Sequence, residues 1–164
     1  MKTIILIRHA KSSWDDNNIS DFERPLNNRG KKDAPAMAKI LKEKIRKPDV
    51  IISSPAERAF STALAFSDAF GYPQEKIRKE IGIYNGGADK ILDIIRSLPE
   101  EYSMALLFGH NPVITRLACH LGGVFIDNMP TASAAAIEFL DDSWEFIGDK
   151  SGKLLFFEYP KKYK

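Results

Sequence analysis

Thr3-Ile4-Ile5-Leu6-Ile7-Arg8-His9-Ala10 starts as a strand and stops at a candidate site. Ile4 to Ile7 are four apolar residues in a row, which reads as a buried strand. The run ends at an arginine and a histidine. In open α/β sheets, ligands bind just past the carboxyl ends of the strands. Neighbouring side chains on a regular strand point to opposite faces. Arg8 and His9 can therefore face one ligand only where the strand ends and the chain turns. The polar run Lys11-Ser12-Ser13 supports that ending.

Composition bounds what such a site can belong to. With 164 residues, one domain spanning 1–164 is expected, large enough to bury a real core. A hydrophobic fraction of 44% and a charged fraction of 28% are those of an ordinary soluble globular protein. A net charge of +2 gives no argument for a nucleic-acid partner. The basic tail Lys161-Lys162-Tyr163-Lys164 reads as solvated. The lone cysteine, Cys119, excludes an internal disulfide and suits a reducing compartment. No apolar run approaches the ~18–20 residues of a membrane span, and no secretory leader is expected. These features predict a cytoplasmic monomer without membrane contact.

Further along the chain, strands and helices alternate. A polar segment from Ser12 to Asn28 follows His9, and loops of this length are often functional. The plainer reading of it is a surface loop tied down by Trp14, Phe22 and Leu26. A helix should start near Asn27 or Asn28 and end before Lys47-Pro48, with Pro35 kinking or loosening its first part. Asp49 to Ser53 reads as a second buried strand. Ser54-Pro55 then reads as a helix start, with Ser at the cap and Pro in the first turn. Arg58 lies in that first turn, and Gly71 terminates the helix. Glu75 to Gly87 is less readable and holds Glu80 and the flexible pair Gly86-Gly87. A helix over about Asp89 to Ser97 follows. Ser103 to Phe108 is a third buried strand, running into Gly109-His110-Asn111-Pro112, where Asn111 suits the cap of the next helix. Within that helix His120 reads as a surface histidine and Cys119 as packing. Ala134 to Leu140 and Lys153 to Tyr159 read as strands, the second either an edge strand or an interior member. Asp141 to Gly152 between them is a polar turn region.

Three strand ends thus carry unusual polar residues: Arg8-His9, Ser53-Ser54 with Arg58, and His110-Asn111. Alternation of strands and helices argues for a parallel sheet, whose carboxyl ends share one rim. Two arginines and two histidines on that rim make a cationic pocket. Guanidinium forks match phosphate oxygens in bidentate geometry, helix N-termini favour anions, and a neutral imidazole is a competent nucleophile near pH 7. The residues point to phosphoryl transfer.

Four motifs in order then resemble the histidine phosphatase superfamily, the phosphoglycerate-mutase-like fold. Leu6-Ile7-Arg8-His9-Ala10 resembles its Arg-His-Gly signature. Ser54-Pro55-Ala56-Glu57-Arg58-Ala59-Phe60-Ser61-Thr62-Ala63 resembles its Ser-Pro-x-x-Arg-Ala-x-x-Thr-Ala segment. Gly109-His110-Asn111-Pro112 resembles its second-histidine turn, and Arg24-Pro25-Leu26 with Gly30 the lead-in to its first helix. The short length and Arg-His-Ala-Lys-Ser-Ser-Trp resemble the small SixA-type phosphohistidine phosphatases. The resemblance implies a three-layer α/β/α sandwich on a mostly parallel mixed sheet. It also implies His9 as nucleophile, with Arg8, Arg58 and His110 binding the phosphoryl oxygens. In many relatives a glutamate follows the helix after the second arginine, which makes Glu80 the candidate general acid, ahead of Asp15 and Asp89. Ala10 departs from the motif glycine. Where relatives often place an asparagine a few residues past the histidine, this chain has Asp15, with Asn17 close by.

The leading expectation is therefore a phosphatase that dephosphorylates phosphohistidine on a protein through a phosphohistidine intermediate. The alternatives are a phosphatase for small phosphometabolites and an inactive phosphate- or phosphopeptide-binding module. A mutase fits less well, because only 52 positions separate Arg58 from His110 and leave no room for the long helical insertion of the superfamily's mutases. Three histidines and one cysteine at scattered positions make no metal-ligand cluster, so no metal or cofactor is expected. Neither the Ser12–Asn28 loop nor the Glu75–Gly87 segment carries a second cluster of arginines that would grip another phosphate or a carboxylate. An open pocket of this kind suits a phosphorylated side chain on a protein surface, where the partner itself covers the site.

Overall fold

In a computed structural model describing residues 1–164, the stretch after Met1 forms strand β1 (Lys2–Arg8). The other strands are β2 (Val50–Ser53), β3 (Arg78–Lys79), β4 (Met104–Gly109), β5 (Ala134–Phe139) and β6 (Gly152–Glu158). They make one sheet in the order β3-β2-β4-β1-β5-β6. The pairings β1–β4, β2–β4 and β2–β3 are parallel, whereas β5 is antiparallel to both β1 and β6. The last strand lies at the sheet edge.

Helices α1 (Asn28–Lys44) and α2 (Glu57–Phe70) cover one face, and α3 (Ile81–Asn85), α4 (Gly87–Arg96) and α5 (Val113–Gly122) are on the other side. Alternation along β1 splits its side chains between two cores. Ile5 and Ile7 pack with Met37, Leu41 and Phe66. Ile4 and Leu6 pack with Ile95, Leu117 and Leu121. All four are fully buried, which is why the centre of the strand is a continuous apolar run instead of alternating. Burial on this scale contributes about 1.5–3 kcal/mol per side chain. The result is the expected three-layer sandwich on a mixed sheet.

Local differences from the expectations have physical causes. Asn27 caps α1 by accepting from the Gly30 N–H at 2.9 Å, and the helix runs without interruption through Pro35. Its first turn is close to the chain after β1: a Cβ on Gly30 would stand 2.1 Å from the Lys11 carbonyl oxygen. Helix α2 starts at Glu57, not at Ser54-Pro55; the Ser54 Oγ accepts from the Ala56 N–H and also meets His110 Nε2. At its far end Gly71 takes φ 65°, which a residue without Cβ adopts freely. Helix α5 starts at Val113. The Asn111 amide donates to Asn128 and the Met129 carbonyl instead of capping it. The stretch read as unclear, Glu75 to Gly87, holds β3, α3 and the start of α4. Within the polar turn region, Trp144 is fully buried and donates to the Tyr102 carbonyl. Trp14, read as an anchor, is 69% exposed; the loop after β1 is closed instead by a Ser12–Leu26 bridge and buried Leu26. No helix is long and apolar enough to cross a membrane.

Candidate active site

Because β1 and β4 are parallel with Arg8 opposite Gly109, their ends deliver His9 and His110 side by side. The His9 N–H donates to the Gly109 carbonyl at 3.1 Å, and the two imidazole centroids are 5.2 Å apart. The neighbouring end of β2 leads through Ser54, whose N–H donates to the Phe108 carbonyl, to Arg58 in the first turn of α2. Arg8, His9, Lys11, Arg24, Arg58 and His110 line one cavity of about 210 Å³ at these carboxyl ends. No carboxylate lines it.

His9 is 7% exposed, and its Nδ1 lies 2.7 Å from the Ala10 carbonyl oxygen. A carbonyl only accepts, so Nδ1 carries the proton and the lone pair sits on Nε2. Burial pushes the ring's pKa down to about 3, with the Ala10 bond opposing and His110, Arg58 and Arg8 adding to the fall. The ring is therefore neutral near pH 7. Ala10, in place of the motif glycine, is fully buried in the α1–α2 core, and its N–H donates to Thr62 Oγ1. Its φ is not in the left-handed region, so the methyl group is accommodated.

His110 Nε2 is 2.8 Å from Ser54 Oγ. That oxygen also accepts from the Ala56 N–H at 3.2 Å, so one hydroxyl links the start of α2 to the His110 ring. Burial, then Arg58, lowers the His110 pKa to about 4. Arg8 donates to the Met129 carbonyl at 2.9 Å. Four buried polar side-chain atoms have no hydrogen-bond partner, and three belong here: Arg8 Nε, Arg58 Nε and His110 Nδ1. Such groups are costly to leave unpaired. The two guanidinium nitrogens are donors, suited to an anionic ligand.

The arginines are held by one carboxylate. Asp21 accepts from both Arg58 and Arg24 at 3.1 Å and from the Tyr84 hydroxyl at 2.8 Å. Burial alone would raise the Asp21 pKa; the Tyr84 and arginine bonds bring it down to about 2. Arg24 also donates to Ser12 Oγ and lies 3.6 Å over the Trp14 ring. Asp21 was not legible as a site residue; Ser54 was legible as a polar strand end, and Arg24 and Trp14 only as parts of motifs. No spacing rule ties Asp21 to an arginine 37 positions later. Glu80 does not line the cavity; it receives a bond from Arg78 at 2.8 Å. Asp15, Asn17 and Asp89 are exposed and off it. No group of three or more His, Cys, Asp or Glu is arranged to hold a metal ion.

The chain is similar to known proteins in sequence and in fold. The family model of the histidine phosphatase superfamily (branch 1) matches residues 4–82. An uncharacterised chloroplastic protein of Arabidopsis thaliana is 30% identical over 152 residues, covering 88% of this chain and 69% of its own length. The SixA structure from Agrobacterium tumefaciens superposes with a TM-score of 0.79 at 27% identity, over 97% of this chain and 98% of that one. The protein histidine phosphatase SixA complexed with tungstate shares the fold, with a TM-score of 0.81 at 22% identity over 99% of both chains. The chain belongs to the histidine phosphatase superfamily, in its SixA-type branch.

Proposed function

We propose that the protein is a metal-independent phosphohistidine phosphatase acting on a protein substrate, with His9 as nucleophile. The observation that carries this reading is the bond from His9 Nδ1 to the Ala10 carbonyl, inside a buried ring of arginines. It leaves Nε2 unprotonated at neutral pH, facing no competing proton. Nε2 attacks phosphorus and a new P–N bond forms. The bond to the substrate nitrogen breaks, and its electron pair leaves on the substrate imidazole, which takes up a proton. Water then cleaves the His9–phosphorus bond, returning the electron pair to Nε2 and releasing inorganic phosphate. Arg8, Arg58 and His110, with Arg24 beside them, spread the transition-state charge. The arginines supply the positive charge a metal would otherwise bring.

Glu80 was the candidate acid. Its pairing with Arg78 away from the cavity favours substrates that leave without strong acid help, and the labile P–N bond of phosphohistidine is one. The open site and the tendency of enzymes for small metabolites to enclose them support a protein substrate. On this reading kcat/KM for a phosphohistidine-bearing domain exceeds that for sugar phosphates by at least about tenfold, or ~1.4 kcal/mol.

Acid- and alkali-quenched turnover tests the covalent step. The enzyme should carry an alkali-stable, acid-labile phosphoryl group, absent in His9→Ala, and His9→Ala should lower aryl phosphate turnover by at least about 10³-fold. Label on Ser12 or Ser54 would move the nucleophile elsewhere. Undiminished turnover in His9→Ala would end the reading, and a wild-type protein that binds phosphate without turnover would be a binding module.

A further inference from the structure

Folding assembles a second basic cluster that no single stretch of the sequence carries. Beside the candidate active site lies a larger groove of about 410 Å³, onto which Arg8, Lys11, Arg29, Lys161 and Lys164 open. No acidic side chain lines it. Arg8, Lys11 and Thr131 line both the groove and the cavity, so the two adjoin along a shared wall.

Arg29 and Lys164 are held in place from behind. Asp33, whose side chain is 4% exposed, lies 3.4 Å from Arg29 Nε and 3.0 Å from Lys164 Nζ. Arg29 also donates to Thr131 Oγ1 at 3.1 Å, on the shared wall. Lys11 and Lys161 form no ion pair. The cluster therefore keeps an excess of positive charge after its one buried carboxylate is counted. Tyr159 and Pro160 give the groove an apolar wall. A charged groove with a few fixed polar groups on an apolar wall has the character of a ligand site.

We infer that this groove is a specificity subsite for a second anionic group, carboxylate or phosphate, on the same substrate molecule whose phosphoryl group occupies the cavity. It rests on the phosphatase reading and adds a substrate class to it. On a protein, the second anion is an aspartate or glutamate near the phosphohistidine. On a small substrate, it is a second phosphate or a carboxylate.

Four substrates test this: phosphohistidine peptides flanked by glutamates or by glutamines, 4-nitrophenyl phosphate, and an aryl phosphate carrying a carboxylate. Lys161→Glu is the main variant, since Lys161 is exposed and unpaired; Arg29→Gln is the second. Expected is a fall of about tenfold in kcat/KM for at least one doubly anionic substrate, with its neutral counterpart within about twofold of wild type. A loss confined to the glutamate peptide identifies a protein source, and one confined to the carboxylated ester a small-molecule source. Equal losses on anionic and neutral members of a pair, or no loss in any, would overturn the subsite. If wild type fails to turn over 4-nitrophenyl phosphate, the phosphatase reading falls by itself. The subsite is then decided by calorimetry with phenylphosphonate and its carboxylated analogue. Lys161→Glu must weaken only the carboxylated ligand, and equal affinities would refute it.

Discussion

In the cavity at the strand ends, Arg58 is 6% exposed and held by Asp21, whereas in the adjoining groove Lys161 is exposed and pairs with nothing. Both regions are cationic. They differ in solvation and in how tightly the charge is fixed. Buried donors on strand ends and a helix start keep their geometry and act in a low dielectric, where each is worth several times its value in water. Lysines near the chain terminus are hydrated and screened within about 8–10 Å at ordinary ionic strength. On the proposed reading the cavity stabilises the reacting phosphoryl group, and the groove selects what arrives with it.

The sharpest break between the two regions is Arg58→Ala. It should lower kcat/KM for every substrate by about 10²–10³-fold, as removal of one preorganised donor does, unlike the selective loss expected at Lys161. A loss limited to doubly anionic substrates would show that Arg58 works like a groove residue. Assays with matched mono- and dianionic esters decide it.

Next in size is Gly30→Ala, which probes the backbone behind both regions. The added methyl would meet the Lys11 carbonyl at 2.1 Å, on the turn that carries Lys11 into cavity and groove alike. Denaturant unfolding should show a loss of about 1–3 kcal/mol, together with weaker turnover. Wild-type stability would mean that α1 shifts easily and that the close approach has no structural weight.

Acid titration separates buried from solvated imidazoles. His9 and His110 are neutral in the fold down to about pH 3 and 4 but take protons near 6.5 when unfolded. The unfolded chain therefore binds more protons below pH 6.5, so stability falls as pH drops toward 4, by up to ~1.4 kcal/mol per unit per ring. Corrected for substrate ionisation, kcat/KM should show no inflection near 6.5. An inflection there would place one of the rings in water.

Chelation should have the smallest effect. Activity in EDTA should remain within about twofold of the untreated enzyme, because the charge on the phosphoryl oxygens is met by guanidinium groups. Full loss, restored by zinc or manganese, would contradict the metal-independent reading and recast the cavity as a metal site.

The sequence by itself determined the layers and the ring of reactive residues. A run such as Ile4 to Ile7 is only stable with cover on both faces, so the sheet and its helices follow from apolar pattern. Arg8, His9, Arg58 and His110 were legible because parallel strands share a carboxyl rim, a rule that needs no coordinates. Tertiary structure decided what depends on contacts between distant segments. Asp21 reaches Arg58 and Tyr84 through loop closure, Ser54 meets His110 from a neighbouring strand end, and Glu80 turns to Arg78. The second basic cluster arises in the same way. Arg29 on the first helix and Lys161 past the last strand meet beside Lys11 only after folding, since side-chain periodicity reports neighbours along one element and never across several.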